Sequence, residues 1–311
     1  MSKSAAVFRQ RPRESTKVKA DSGTINILNY KRPAGSFSEE QCIKKYIDII
    51  PGIQIDSFKT IFSCHTDTVH KTAGMQKVFY DTVLKQLFTK SGECLGADDG
   101  AGMIIMLHMI ENKIPGMYIF HREEECGGGG SSYIAQVTPD LIEGYERCIA
   151  FDRRGTGSVI THQLDECCSD KFAIELGKQL GWEWLPDETG IFTDSANYID
   201  LIPECTNLSC GYELEHTPNE YLNMRFFNAF KEKILKVDWE NLGTYRDPIE
   251  SASRSYYYGY SMGGYITSTG GEYYPAKKEM PFTKYSTTTE VYNYVKSNPW
   301  SAAEIIKELL W

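Results

Sequence analysis

Three short apolar runs, residues 59–64, 117–120 and 147–151, feed into His65, the glutamate triplet Glu123-Glu124-Glu125, and Asp152. Residues 207–210 make a plausible further strand that leads towards His216. Runs this short and apolar read as buried strands, and the stretches between them carry helical patterns over 38–50, 100–111, 171–180 and 219–236. In the first of these helices Ser38 is the expected cap, Gln41 the capping-box partner and Pro51-Gly52 the stop. A further strand is expected over 159–161. Alternating strands and helices predict an α/β layered domain. Ligands in such folds bind outside the carboxyl ends of strands, which is where these polar residues fall.

The helical and strand patterns run from residue 25 to 244, which we take as one domain. Residues 1–24 precede it as a basic tail, with Lys3, Arg9, Arg11, Arg13, Lys17 and Lys19 and no apolar segment after them to make a signal peptide. Residues 245–311 are rich in Tyr, Gly and Ser, lose periodicity, and end in an expected helix over 298–311. They read as an extension docked on the parent domain. A sharper alternative is a tyrosine-rich arm for a partner or second subunit. Acidic residues outnumber basic ones 42 to 33, a net charge of −9 that argues against nucleic-acid or anionic-membrane partners. No apolar run approaches the roughly 20 residues of a membrane span. Nine cysteines with no CxxC pair fit reduced thiols in a cytoplasmic protein rather than a disulfide or zinc-knuckle scaffold.

Five segments carry the chemistry: Cys64-His65-Thr66-Asp67, Gly96-Ala97-Asp98-Asp99-Gly100, Glu123-Glu124-Glu125-Cys126-Gly127, Phe151-Asp152 and Glu215-His216-Thr217. Singly each is an ordinary surface or capping group. Together they supply the imidazole nitrogens and carboxylate oxygens that zinc accepts. Two ions sharing a carboxylate, about 3.5–4 Å apart, can clamp a water, and an extra glutamate beside a ligand glutamate suits a general base.

The ordered pattern HxD, Asp-Asp, Glu-Glu-x-Gly, Asp and late His resembles the co-catalytic zinc aminopeptidase and carboxypeptidase superfamily, which includes peptidase T, carboxypeptidase G and the bacterial leucyl aminopeptidases. The resemblance implies a three-layer α/β/α sandwich with a mixed central sheet. It also implies two Zn2+ per chain, with Co2+ or Mn2+ as substitutes. His65, Asp98 and Asp152 would hold one ion; Asp98, Glu125 and His216 the other. A cis peptide would follow the bridging Asp98. Asp67 would hydrogen-bond the second ring nitrogen of His65. Glu124 would be the base, in the register that matches Glu124-Glu125-Cys126-Gly127.

Only residues 153–215 separate Asp152 from His216, too few for the lid domain that many members insert. That favours the lid-less aminopeptidases, whereas His65-Thr66-Asp67 and Gly96-Ala97-Asp98-Asp99 look closer to peptidase T. The implied activity is hydrolysis of a peptide or N-acyl amino acid, as an exopeptidase, a carboxypeptidase or a deacylase. A single-zinc cyclase of the same fold, and a non-catalytic relative used for binding or assembly, remain open. Arg153 and Arg154 are candidates for a substrate carboxylate, and Asp194, Glu213 or Glu215 for a free α-amine. Thr193-Asp194-Ser195 resembles a loop near the metals in lid-less relatives. His121 and His162 read as structural, and Cys126 as a neighbour of the site. Oligomeric state is not legible.

Overall fold

The computed structural model describes residues 14–15, 24–47, 59–181 and 183–251. The described residues all fall within one compact unit, and residues 263–311 lie outside them. The tyrosine-rich segment and the expected helix over 298–311 fall there too.

The core is a six-stranded sheet of β1 (Thr60–His65), β2 (Met117–His121), β3 (Arg147–Arg153), β4 (Ser158–Ile160), β5 (Leu185–Asp187) and β6 (Glu204–Ser209), ordered β5-β4-β6-β3-β1-β2. Neighbours are parallel except where β6 meets β4, with Leu208 opposite Val159. The sheet is therefore mixed, as expected. Every residue of β1 and β6 is buried, which explains why these strands read as continuous runs rather than alternating ones.

One face carries Phe62 and Phe151, whose rings lie 6.1 Å apart. Phe62 meets Trp239 edge-on at 4.8 Å, and Phe151 meets Phe230 at 6.2 Å. Over this face run α2 (Ala97–Glu111), α4 (Asp170–Leu180) and α5 (Met224–Ile234). Helix α2 is apolar on almost every side and is buried through Met103-Ile104-Ile105-Met106. The opposite face presents Ser63 and Cys148 and is covered by a short helix, Asp194–Tyr198, backed by α3 (Gly129–Val137). Helices on both faces complete the three layers.

Where the chain departs from expectation, a tertiary partner decides. Helix α1 spans Phe37–Tyr46 and is capped by Ser36, whose side chain accepts from Glu39 N at 3.2 Å. Ser38 instead donates to the Lys31 carbonyl. Helix α5 starts at Met224, not 219, because Tyr221–Asn223 is drawn into an antiparallel sheet against Gln86–Thr89. Asn223 then caps the helix, accepting from Arg225 N and Phe226 N. That second sheet also holds Glu14–Ser15, Val78–Asp81 and Tyr212–Glu213. Tyr245 and Arg246, assigned to the extension, are tied to the domain: both backbone N–H groups donate to Glu204, and the Arg246 guanidinium donates to carbonyls of Ile199, Ile202 and Pro203. All nine cysteines are free thiols, and only Cys126 is exposed. No helix among the described residues is long and apolar enough to cross a membrane.

Candidate active site

Strand ends deliver most of the site. His65 closes β1, Asp152 is the second-last residue of β3, and Glu124 and Glu125 follow β2 after Glu123, which adopts φ +63°. Asp98 stands at the start of α2, where the backbone is not yet helical and the Asp98–Asp99 peptide is cis. His216 comes from the loop between Tyr212–Glu213 and Tyr221–Asn223.

These five side chains converge as two triads that share Asp98: His65, Asp98 and Asp152, and Asp98, Glu125 and His216. His65 Nε2 lies 3.1 Å from Asp98 Oδ1 and 3.6 Å from Asp152 Oδ1. His216 Nε2 lies 3.0 Å from Asp98 Oδ2 and 3.1 Å from Glu125 Oε1. The two carboxylate oxygens of Asp98 thus face different histidines. Two ligands on one tetrahedral zinc, each about 2.0–2.1 Å from the ion, stand about 3.3 Å apart. The observed separations bracket that value. A single N–H, by contrast, can donate along only one direction, yet each Nε2 faces two carboxylates at nearly equal range. The donor set therefore fits a pair of divalent cations, with three protein ligands per ion and the remaining position of each open.

The surrounding groups hold these ligands in place. His65 Nδ1 is 3.1 Å from the Asp67 carbonyl and 3.5 Å from its carboxylate, so the carbonyl is the nearer partner that fixes the ring. The Asp67 carboxylate accepts from Glu124 N and Glu125 N, each at 3.2 Å, and so aims the glutamate pair. Asp99 turns away from the triads and accepts from Gly102 N at 2.8 Å and His65 N at 3.2 Å. Gly102 has no room for a side chain: a Cβ there would meet Phe151 O at 2.3 Å. Asp152 is held through its backbone by Asn207 and through Oδ1 by the Tyr212 hydroxyl at 3.0 Å. Glu220, buried, accepts from Gly96 N at 2.9 Å and Asp98 N at 3.0 Å. Sequence reading missed Asn207, Tyr212 and Glu220.

Negative charge is in excess. Burial, then the neighbouring Asp152 carboxylate, pushes Glu124 up to about 9. Burial also raises Asp99, Asp152 and Glu125, and the hydrogen bonds that the His216 ring donates to the Asp98 and Glu125 carboxylates push His216 up to about 11. His65 rises despite burial because Asp152 and its other carboxylate neighbours outweigh desolvation. Such a cluster is short of cations.

A cleft of about 320 Å3 opens over the triads. Beyond the ligands and Glu124 its lining includes Arg153, Arg154, Glu215, Tyr212, Ile160, Gln163, Ile191 and Phe192. Arg153 is engaged, donating to Thr189 Oγ1 at 2.7 Å with Asp187 at 3.7 Å. Arg154, with 58% of its side chain exposed, pairs with Glu215 Oε1 at 3.1 Å. Glu215 Oε2 is buried without a partner. Asp194 does not line this cleft; it is buried behind His65, with Oδ2 3.4 Å from His121 Nδ1. Burial pushes Asp194 up to about 7 and His121 down to about 3. His121 also bonds the Tyr198 hydroxyl at 2.7 Å.

Comparison of the sequence with models of protein families, and with curated proteins, gives no match. The fold, however, is that of solved peptidase structures. A tripeptidase from Staphylococcus aureus subsp. aureus Mu50 superposes with a TM-score of 0.56 at 15% identity, covering 69% of this chain and 95% of its own. Aminopeptidase PepT from Bacillus cereus ATCC 10987 gives 0.53 at 14% identity, covering 70% and 96%. PhTET1-12s, solved as a dodecamer in the asymmetric unit, gives 0.50 at 14% identity, covering 69% and 97%. The resemblance first visible in five short motifs thus extends to the chain's three-dimensional fold.

Proposed function

We propose that this protein is a two-zinc hydrolase of the co-catalytic aminopeptidase and carboxypeptidase superfamily that cleaves the amide bond of a short peptide, removing its first residue. The observation that carries the reading is the division of Asp98, one oxygen towards each histidine, at separations that suit two ions sharing a carboxylate. His65, Asp98 and Asp152 would hold one cation, and Asp98, Glu125 and His216 the other. Zinc, or Co2+ or Mn2+ in its place, would supply acidification of a water and stabilisation of oxyanion charge there.

The chain's own residues do the rest. Glu124 lies beside the triads, its Oε2 3.9 Å from His65 Nε2, and is held there by its N–H bond to Asp67. Its carboxylate takes the proton of the attacking water as the new C–O bond forms. The same proton passes to the leaving nitrogen as the C–N bond breaks, so Glu124 ends unprotonated. The buried, unpartnered Oε2 of Glu215 supports recognition of a free α-amine. The exposed guanidinium of Arg154 supports the second reading, a carboxypeptidase or N-acyl-amino-acid deacylase that binds a substrate carboxylate. Free thiols support a cytoplasmic setting.

A mixed pool of short peptides and N-acyl amino acids, offered to zinc-loaded protein beside Glu124→Gln and read by mass spectrometry, tests this directly. Loss of first residues in the wild type alone supports the aminopeptidase. Consumption of only acylated or carboxyl-terminal substrates moves the assignment to the second reading, and equal turnover by Glu124→Gln removes the base.

A further inference from the structure

Outside the five motifs, Arg32 is fully buried, with 0% of its surface exposed. A buried arginine ordinarily faces a carboxylate. Among the described residues this one pairs with no carboxylate, and its acceptors there are all main-chain carbonyls: Nε donates to Thr66 O at 2.8 Å, Nη2 to Gly96 O at 3.0 Å, and Nη1 to Ile27 O and Tyr30 O at 3.1 and 3.4 Å. Thr66 lies between His65 and Asp67. Gly96 lies two residues before Asp98. The Arg32 backbone adds two bonds to Thr68, one in each direction.

Glu220 grips the same loop from the other side. Its two oxygens accept from Gly96 N and Asp98 N. Gly96 is therefore held by its carbonyl on a buried cation and by its N–H on a buried carboxyl group. It adopts φ +71°, and a Cβ there would lie 2.9 Å from His70 Cε1, so the loop has little room to shift. Glu220 N in turn bonds Thr217 O at 3.1 Å, next to His216.

We propose that Arg32 and Glu220 are positioning residues that clamp the Gly96–Asp98 segment between the His65 and His216 loops, and so set the spacing of the shared carboxylate to both histidines. The inference rests on the two-metal reading of the site. It follows from geometry: the guanidinium fork reaches two loop carbonyls at once, and only a two-oxygen acceptor meets both N–H groups. Lysine has one point of attachment in place of the fork. Glutamine would set an NH2 donor against one of two N–H donors.

The test measures zinc affinity by competition with a chromophoric chelator, and the visible spectrum of the Co2+ form, for wild type, Arg32→Lys and Glu220→Gln. Arg122→Ala, a surface residue paired with Glu39 and Glu40, is the control. The wild type and the control are expected to bind two ions. Each clamp variant, folded by circular dichroism when metal-free, is expected to bind about 10–100-fold more weakly with an altered Co2+ spectrum, as for other groups that orient ligands. A purely structural role would lower the metal-free melting temperature while leaving affinity and spectrum unchanged, and that result in either folded variant overturns the clamp. Should Arg32→Lys fail to fold, Glu220→Gln carries the test. A wild type that binds no zinc removes the two-metal reading, and the clamp with it.

Discussion

The two halves of the site share a carboxylate and differ in almost everything else. His65 is 1% exposed, ends an interior strand of the sheet, and has its second nitrogen fixed by a backbone carbonyl. The side chain of His216 is 49% exposed, sits in a loop at φ +61°, and faces solvent beside the cleft. One half is built from the core and the other from the surface. A ligand set in a dry, rigid frame meets its ion without reorganisation, whereas an exposed one competes with water. The two positions should therefore differ in affinity and exchange rate although their donor atoms are nearly alike.

The most severe test removes the chemistry and leaves both halves intact. Glu124→Gln should keep both ions by elemental analysis and lower kcat about 10^2–10^4-fold, the range of a lost general base. Near-normal turnover would mean that the base lies elsewhere. Next, Asp98→Asn should reduce binding of both ions, because it weakens the one group they share. Loss of a single ion would show that the halves are independent. The comparison itself is examined by His65→Ala against His216→Ala: the first should lose metal and thermal stability together, the second one equivalent of metal with little change in melting temperature. The reverse ranking would break the argument from burial. Titration of the wild type with a chelator should accordingly proceed in two phases, the His216 half emptying first, and a single phase would indicate tight coupling through Asp98. The smallest expected effect is that of Arg154→Ala, a few-fold change in KM with kcat retained, since its ion pair with Glu215 is exposed and such pairs contribute about 0–1 kcal/mol.

The same contrast explains what could be read from the sequence. His65, Asp98, Asp152, Glu125 and His216 stand out because each belongs to a short local motif, and four of them lie at or just beyond an end of a regular element. The layered fold was legible because β1 and the first five residues of β3 are buried and carry short apolar runs, Ile61-Phe62 and Cys148-Ile149-Ala150-Phe151. Arg32 and Glu220 were not legible. Their partners lie 64 and 124 residues away along the chain, and nothing local marks a side chain whose work is to hold another loop's backbone. Two boundaries slipped for a similar reason. Both Ser36 and Ser38 are competent caps, and the contact of Ser38 with Lys31 decides between them. The start of α5 depends on whether Tyr221–Asn223 finds a strand to pair with, and the hairpin of Val78–Asp81 and Gln86–Thr89 provides it. Asp194 was placed near the metals by its loop, but its side chain points into the core towards His121.

The strands Tyr212–Glu213 and Tyr221–Asn223 pair with each other, Tyr212 opposite Leu222 and Glu213 opposite Tyr221. The segment carrying His216 is therefore a short loop closed at its base by hydrogen bonds. For a chain so tethered, most of the entropy of bringing the imidazole to its partners has been lost on folding, and the cost of closure grows only slowly with loop length. On the proposed two-metal reading, an ion held by Asp98 and Glu125 would thus meet His216 at a high effective concentration, even though 49% of that side chain is exposed. Lengthening that loop with flexible residues would raise the dissociation rate from this half alone, which makes loop length a means of tuning one ion without touching a ligand.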